Sequence, residues 1–252
     1  MATQATNSSS CRLVSSAIPR STYKAAVDVY CSDLQDAASI ERLAAMLSDD
    51  ERSRATQFRF ERDRRSYILR HGRLRETLAS YLGAPPERLR LVSGPHGKPF
   101  VEGEEIKFSL SHSRSLMLLA VAHGREVGCD IEHRHSDFPC NEVAEHFFSR
   151  SEARALNSLP AAQQAEAFFK TWTCKEAYLK ARGYGLALPL DSVDIALTPN
   201  GGRLSGACAG WSVQVFEPAL RYHAAVVAQG NDWHLNVRSL PTPALAASHP
   251  AS

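Results

Sequence analysis

The stretch VGCDIEH, residues 127–133, places two carboxylates inside an apolar segment that is otherwise typical of a β-strand. Side chains alternate between the two faces of a strand, so Asp130 and Glu132 project to one side while Cys129 and Ile131 project to the other. Two like charges at this spacing cost free energy unless a cation, a proton or bulk water relieves them. The pair therefore lies on a solvated strand face or belongs to a cation site.

A third carboxylate lies in the stretch FFKTWTCKEAYLKARGYG, which has a helical pattern. On a helix, Glu176 and Lys180 share a face one turn apart, and the simplest interpretation is an exposed ion pair. If this helix packs beside the strand of Asp130 and Glu132, Glu176 instead completes an all-oxygen cluster. Such a cluster suits Mg²⁺, which keeps several waters and shares its coordination shell with substrate phosphate.

Two short upstream motifs offer groups that can hold phosphates and nucleobases. GKP, residues 97–99, and SHS, residues 111–113, each stand at a predicted turn or strand end. Taken singly, GKP is an ordinary turn and a lone histidine is more often a packed or surface residue. Together they supply the ammonium of Lys98, the hydroxyl of Ser111 and the imidazole of His112.

Residues 52–75 carry a surplus of arginine over acidic residues. A charged helix surface accounts for several of these arginines. The segment has three aromatic residues, Phe58, Phe60 and Tyr67, and the helix pattern predicts two or three of them in the core, which argues against base stacking and hence against nucleic acid as a partner. An anionic ligand or an acidic protein partner fits the cluster.

The segment FSRSE, residues 148–152, allows two interpretations of its glutamate. Ser149 and Glu152 have the spacing of a capping box, which explains the glutamate at a helix start. The same carboxylate could act as a general base if it lies within reach of a hydroxyl nucleophile. Both interpretations stay open at this point.

The elements that must position these groups form two similar series of strand, helices and strands. We predict an α+β fold, a pseudo-two-fold monomer of two similar α/β halves with the active site in the cleft between them. The N-terminal half is predicted over residues 25–125 and the C-terminal half over 126–238. Residues 1–24 and 239–252 are predicted to be a disordered leader and tail.

Composition excludes several classes. The 252 residues are 44% hydrophobic and 22% charged, as in an ordinary soluble globular protein, and a net charge of +2 does not indicate nucleic acid. Six cysteines without C-x-x-C pairs predict reduced thiols and a cytoplasmic location. The longest apolar stretch, residues 116–122, falls far short of the roughly 20 residues that span a bilayer, so no membrane role is predicted.

The motifs GKP, SLSHS, VGCDIEH, FFSRSE and WTCKEAYLKARGYGL together resemble, in order and spacing, the 4'-phosphopantetheinyl transferases of the surfactin-synthetase-activating type. The resemblance covers about residues 25–237, and the pair G-x-D-x-E and W-x-x-K-E-x-x-x-K is its most specific part. It implies Mg²⁺-dependent transfer of the 4'-phosphopantetheine group from coenzyme A to a serine of an apo acyl, polyketide or peptidyl carrier protein, with release of 3',5'-ADP.

The resemblance also implies a role for each motif residue. The metal, Mg²⁺ or alternatively Mn²⁺, would be held against the pyrophosphate by Asp130, Glu132 and Glu176. The coenzyme A contacts would come from Lys98 and Pro99 near the adenine, Ser111 and His112 on the phosphates, Lys175 and Lys180 on the pyrophosphate, and Arg54 on the 3'-phosphate. Catalysis would use Lys180 to stabilise the departing 3',5'-ADP and Glu152 to remove the serine proton.

Two departures from the family pattern and two rival functions accompany this interpretation. Where the family has a basic residue before the arginine-rich helix, this chain has Glu51 or Arg52, which leaves Arg54 as the best candidate for the 3'-phosphate. Ser109 stands where asparagine is frequent in the family.

The same carboxylates would suit a metal-dependent phosphodiester hydrolase. A non-catalytic module that binds coenzyme A or carriers is the other rival. The surplus arginines and the cleft edge after Phe147 are the predicted carrier dock.

Overall fold

The structure, a computed structural model, describes residues 25–135, 137–185, 188–198, 201–206 and 208–239. The predicted leader, and the predicted tail beyond residue 239, lie outside these ranges. The α-helices are α1 (Ile40–Ala45), α2 (Asp49–Thr56), α3 (Glu61–Leu82), α4 (Cys140–Phe147), α5 (Arg150–Asn157) and α6 (Ala161–Arg182). The strands are β1 (Ala26–Asp33), β2 (Leu91–Ser93), β3 (Pro99–Val101), β4 (Ile106–Ser113), β5 (Leu116–His123), β6 (Val127–His133), β7 (Val193–Thr198), β8 (Gly201–Gly206), β9 (Trp211–Phe216), β10 (Tyr222–Gln229) and β11 (His234–Ser239).

The strands form two main sheets and a small ribbon. The first sheet has the order β11-β1-β5-β4, the second has the order β6-β10-β9-β8-β7, and β2 pairs with β3. The predicted α+β fold is confirmed. Strand β11 runs parallel to β1, so the last described strand returns to the sheet of the first half. The division of the chain at residues 125 and 238 stays a prediction.

Each half repeats one helical plan. Helices α3 and α6 both have 22 residues and both end at a left-handed glycine, Gly83 or Gly183. The short helix that precedes the long one, α2 or α5, begins in each half with a serine–glutamate capping box. The two halves therefore share a capped short helix followed by a long helix of the same length.

The core is arranged in four layers. Helix α3 covers the outer face of the first sheet through residues such as Leu74, Leu78 and Leu119. The inner faces of the two sheets pack on each other, with Cys129 and Ile131 of β6 among the buried contacts. Helix α6 covers the outer face of the second sheet. Because side chains alternate along β6, Asp130 and Glu132 point away from the inter-sheet core, as the sequence predicts.

No helix in the described ranges is both long enough and apolar enough to cross a bilayer.

Glycine at position 128 allows α6 to lie directly on β6. A Cβ atom there would stand 2.1 Å from the carbonyl oxygen of Ala177 and 2.2 Å from the backbone nitrogen of Ala181. Backbone atoms cannot move aside as a flexible side chain can, so only glycine fits. This close approach places the helix that carries Glu176 and Lys180 beside the strand that carries Asp130.

Substitution Gly128→Ala tests that contact. We expect it to lower the free energy of unfolding by at least about 2 kcal/mol, because the methyl group forces strand and helix apart. Urea unfolding measures the effect. Gly94→Ala is the matched control, since its Cβ would meet only the carbonyl oxygen of Lys98 at 3.4 Å. Equal stability of Gly128→Ala and wild type would contradict the packing described.

Candidate active site

Asp130 is the most buried of the predicted metal ligands, with 3% of its surface exposed. Its Oδ1 accepts hydrogen bonds from Ser111 Oγ and from Lys180 Nζ, each at 2.7 Å. Its Oδ2 is buried and has no hydrogen-bond partner. A buried carboxylate oxygen without a partner is costly unless a cation or a proton satisfies it.

Glu132 and Glu176 interact electrostatically with Asp130. Burial, followed by the charges of Asp130 and Glu176, raises the pKa of Glu132 to about 7, although Ser113 Oγ donates to its Oε2 at 2.9 Å. Burial and the charge of Asp130 also raise the pKa of Glu176. The structure thus brings the three predicted carboxylates into one group whose ionised forms repel one another.

Lys180 provides the positive charge in this group. Its ion pair with Asp130 outweighs the effect of burial and raises the pKa of the ammonium above the ordinary value. Across the described ranges, no three acidic, histidine or cysteine side chains already surround one metal position. The possible metal ligands are nevertheless all carboxylate oxygens, and the ionised carboxylates repel one another. Asp130 Oδ2 in addition has no hydrogen-bond partner. These features fit a hard divalent cation such as Mg²⁺.

Serine side chains on β4 join the two sheets at the site. Ser109 Oγ accepts from the backbone nitrogen of Cys129 at 3.0 Å, Ser111 Oγ donates to Asp130, and Ser113 Oγ donates to Glu132. Sequence reasoning selected Ser111 alone as a site residue. The period-two spacing of the serines in SLSHS was the available signal for the whole row, because it places all three on one face of the strand.

His112 points to the opposite face of β4, toward α3. Its Nδ1 lies 3.5 Å from the guanidinium of Arg70, and burial together with the charges of Arg70 and Lys180 lowers the pKa of His112 to about 4. Arg54 is exposed on α2. Burial raises the pKa of Tyr67, and the charges of Arg54 and Arg70 both oppose that rise. The structure therefore places Arg70 against His112, a partner that the sequence did not single out from the arginine cluster.

A cleft of about 360 Å³ opens beside these groups, between the β2–β3 turn and the C-terminal end of α6. The predicted residues Lys98, Pro99, Glu176 and Lys180 all line it. Lys98 contributes its stem, because its ammonium donates to Glu126 Oε2 at 2.7 Å, Ala181 O at 2.9 Å and Val127 O at 3.1 Å. Lys98 thus also ties the first half to the end of α6.

Lys175 and Glu152 lie apart from this cluster, and the predicted contact of Lys175 with the pyrophosphate is not supported. The Lys175 side chain has 0% exposure, and its Nζ lies 2.6 Å from Glu152 Oε2. The same ammonium donates to the carbonyl oxygens of Leu190 and Val193. A helix turns by about 100° per residue, so Lys175 faces the interior while its neighbour Glu176 faces the cleft.

Glu152 is the capping-box residue that its spacing predicts. Its carboxylate accepts from the backbone nitrogen of Ser149 at 2.8 Å and of Ile195 at 2.7 Å, besides pairing with Lys175. The first half contains a counterpart, since the capping-box Glu51 of α2 pairs with Arg75 of α3 at 2.5 Å. The repetition favours a structural role for Glu152. Its role as a base is not tested by these contacts.

Substitution Glu152→Ala distinguishes the two roles. We expect it to lower the free energy of unfolding by roughly 3–5 kcal/mol, because it leaves the buried Lys175 ammonium without a counter-charge. Thermal and urea unfolding measure this, with the exposed Glu145→Ala as control. A variant as stable as wild type that has lost its turnover would instead support the base.

Comparison with known proteins agrees with the site. Residues 126–235 match the family described as the 4'-phosphopantetheinyl transferase superfamily, and residues 36–124 match "4'-phosphopantetheinyl transferase, N-terminal". The 4'-phosphopantetheinyl transferase HetI of Nostoc sp. is 38% identical over 204 residues, which cover 79% of this chain and 85% of the relative. The 4'-phosphopantetheinyl transferase Sfp of Bacillus subtilis is 28% identical over 163 residues, or 64% of this chain and 71% of the relative.

Among solved structures, the holo-[acyl-carrier-protein] synthase of Thermotoga maritima matches 42% of this chain and 63% of its own, at 22% identity and a TM-score of 0.35, which is too low to support an argument. The identity with HetI over most of both chains and the two consecutive family matches suffice without it. This chain belongs to the 4'-phosphopantetheinyl transferase family, as its motifs predict.

Proposed function

We propose that this protein transfers the 4'-phosphopantetheine group of coenzyme A to a serine of apo carrier proteins and releases 3',5'-ADP. The observation that carries the proposal is the group of Asp130, Glu132, Glu176 and Lys180, which joins buried acidic oxygens to an ammonium at the edge of a cleft. Family membership supplies the reaction type. The cleft volume of about 360 Å³ is in the range that accommodates a small ligand.

In this reaction the serine oxygen attacks the phosphorus that carries the pantetheine arm. A new P–O bond forms to serine, the P–O bond to 3',5'-ADP breaks, and the serine proton leaves to a base. Negative charge accumulates on the leaving phosphate, so positioning and charge neutralisation supply most of the catalysis. We assign the neutralisation of that charge to Lys180, because its ammonium lies 2.7 Å from Asp130 Oδ1.

The carboxylates Asp130, Glu132 and Glu176 would hold Mg²⁺. When bound, the ion would polarise the diphosphate oxygens and reduce the repulsion among the carboxylates. Lys180 would then share its ion pair with Asp130 between that carboxylate and the diphosphate. Ser111 donates to Asp130 and accepts from Lys180 at 2.9 Å, so it would hold both side chains in position.

The nucleotide end of coenzyme A would extend along the cleft and α3. Pro99 and the stem of Lys98 offer apolar surface for the base, while His112, Arg70 and Arg54 offer donors for the 3'-phosphate. Burial, followed by the charges of Arg70 and Lys180, lowers the pKa of His112 to about 4, and the two neighbouring cations favour an anion there.

We also propose that the protein acts as a cytoplasmic monomer without nucleic-acid or membrane partners. Both sides of the cleft come from one chain, so a second copy is not needed to complete it. The five cysteines within the described ranges are free, which fits a reducing compartment.

A transfer assay tests the proposed function. The full chain is incubated with coenzyme A, Mg²⁺ and several unrelated apo carriers, and mass spectrometry follows the added arm. Wild type should modify at least one carrier, and Glu176→Gln should reduce turnover by about 100-fold or more, because one acidic oxygen donor is lost. Glu176 is half-buried and its substitution leaves the Asp130–Lys180 pair in place, so we expect the fold to persist.

Two outcomes would reject this function. Loss of coenzyme A without any acceptor would indicate a phosphodiester hydrolase. Full turnover of Glu176→Gln, with Glu145→Gln as the exposed control, would remove the carboxylate group from the mechanism.

A further inference from the structure

The hydroxyl of Ser113 makes two contacts with the strand that carries Asp130 and Glu132. Ser113 is the last residue of β4 in the first sheet, and β6 belongs to the second sheet. Its Oγ accepts from the backbone nitrogen of His133 at 3.1 Å and donates to Glu132 Oε2 at 2.9 Å. One side chain of the first sheet thus contacts both the main chain and a carboxylate of the second.

These two contacts fix the direction of the hydroxyl hydrogen. A serine hydroxyl has one hydrogen to donate and lone pairs that accept. The backbone nitrogen of His133 can only donate, so the hydrogen of Ser113 Oγ is left for Glu132. A hydrogen bond to a carboxylate is stronger than one between neutral groups. The Glu132 carboxylate is therefore held at Oε2, which leaves Oε1 for a cation.

The opposite flank of Glu132 supplies no hydrogen bond. His223 of β10 is the register partner of Glu132, so its side chain lies on the same face of the sheet, where it is buried. Neither ring nitrogen of His223 has a hydrogen-bond partner. Within the described ranges, Ser113 is the one side chain that donates a hydrogen bond to the Glu132 carboxylate.

Ser109, on the same face of β4, joins the strands without contacting a carboxylate. Its Oγ accepts from the backbone nitrogen of Cys129 at 3.0 Å. This contact repeats, four residues earlier on both strands, the one between Ser113 and His133. Strands β4 and β6 therefore run in the same direction, and serine hydroxyls accept where a parallel ladder would use carbonyl oxygens. Ser113 makes this contact and in addition holds Glu132.

Asp130 has more support than Glu132 has. Ser111 Oγ donates to Asp130 Oδ1 at 2.7 Å, and the Lys180 ammonium lies at the same distance from that oxygen. In the part of the chain that the structure describes, no lysine or arginine forms an ion pair with Glu132. Glu132 therefore depends on Ser113 for its orientation more than Asp130 depends on Ser111.

We infer that Ser113 is a positioning residue, which orients Glu132 so that this carboxylate meets the divalent ion together with Asp130 and Glu176. This inference rests on the proposed function and gives the last serine of SLSHS a role in it. Residues that hydrogen-bond to a metal ligand typically change metal affinity by roughly 10- to 100-fold. Because Ser113 and Glu132 belong to different sheets, contact between the sheets is part of the ion site.

Mn²⁺ binding to variants of the full chain tests this role. Wild type, Ser113→Ala and Ser113→Thr are titrated with Mn²⁺ in the presence of coenzyme A, and electron paramagnetic resonance measures the free ion. We expect Ser113→Ala to weaken binding by about tenfold. Threonine keeps the hydroxyl and suits a strand, so Ser113→Thr should bind Mn²⁺ within about twofold of wild type.

Ser113→Cys is a second variant for the same measurement. Ser113 is half-buried at a strand end, so both it and Ser113→Ala are expected to fold. A thiol is similar in shape to a hydroxyl but is a weak donor, so Ser113→Cys should also weaken Mn²⁺ binding.

Ser109→Ala is the matched control for loss of a serine that joins the strands. It leaves the backbone nitrogen of Cys129 without its acceptor, so the melting temperature should fall while the Mn²⁺ affinity stays unchanged. An equal loss of affinity in both alanine variants would show that the joining of the strands supports the ion, and would overturn the inference. Equal affinity of Ser113→Ala and wild type would also overturn it, although the proposed function stands. Absence of Mn²⁺ binding by wild type would reject the metal site and the proposed function with it.

Turnover at raised Mg²⁺ concentration separates ion binding from contact with the substrates. Ser113→Ala should need about tenfold more Mg²⁺ for half-maximal transfer, because a weakened site fills only at higher ion concentration. Its rate at saturating Mg²⁺ should approach that of wild type. A rate that added Mg²⁺ does not restore would assign the Ser113 hydroxyl to coenzyme A or the carrier and would overturn the positioning role.

Discussion

Electrostatic repulsion among three carboxylates constrains the rest of the site. Asp130, Glu132 and Glu176 are held together because α6 lies on β6 at Gly128, and burial in that contact raises the pKa of all three. Lys180 and the serines of β4 offset part of the cost. Three carboxylates at this spacing favour the binding of a cation. An enzyme that acts on a diphosphate can use this affinity when a cation and the anionic substrate bind together.

Comparison of the two halves distinguishes residues with a structural role from residues expected to take part in the reaction. Glu51 with Arg75 and Glu152 with Lys175 occupy matching places in the two halves, each joining a capping box to a buried cation on the long helix. The first pair lies away from the carboxylate group, which occurs in the second half alone among the described residues. What the halves share therefore holds the helices in position, and what they do not share is where the reaction is expected. Lys175 and Glu176 are neighbours in sequence, yet Lys175 belongs to the structural pair and Glu176 to the carboxylate group.

Local patterns were sufficient to predict part of the site. Alternation along a strand predicted that Asp130 and Glu132 share a face, and helical spacing predicted that Glu176 and Lys180 do. Their meeting depends on the close contact at Gly128, which no local pattern contains. The burial of Lys175 and the return of β11 to the first sheet likewise depend on tertiary packing. The capping box of Ser149 and Glu152 was predicted from its spacing, whereas the row of serines in SLSHS and the capping box of Ser48 and Glu51 were signals in the sequence that were recognised only with the structure.

Metal binding tests the central claim, that the three carboxylates hold one divalent ion beside the diphosphate of coenzyme A. Titration with Mn²⁺, followed by electron paramagnetic resonance with and without coenzyme A, measures it directly. The account predicts one tight ion per chain that depends on coenzyme A, and an affinity lowered by about tenfold or more in Glu132→Gln and Glu176→Gln but unchanged in Glu145→Gln. Equal Mn²⁺ affinity in wild type and in both site variants would contradict it.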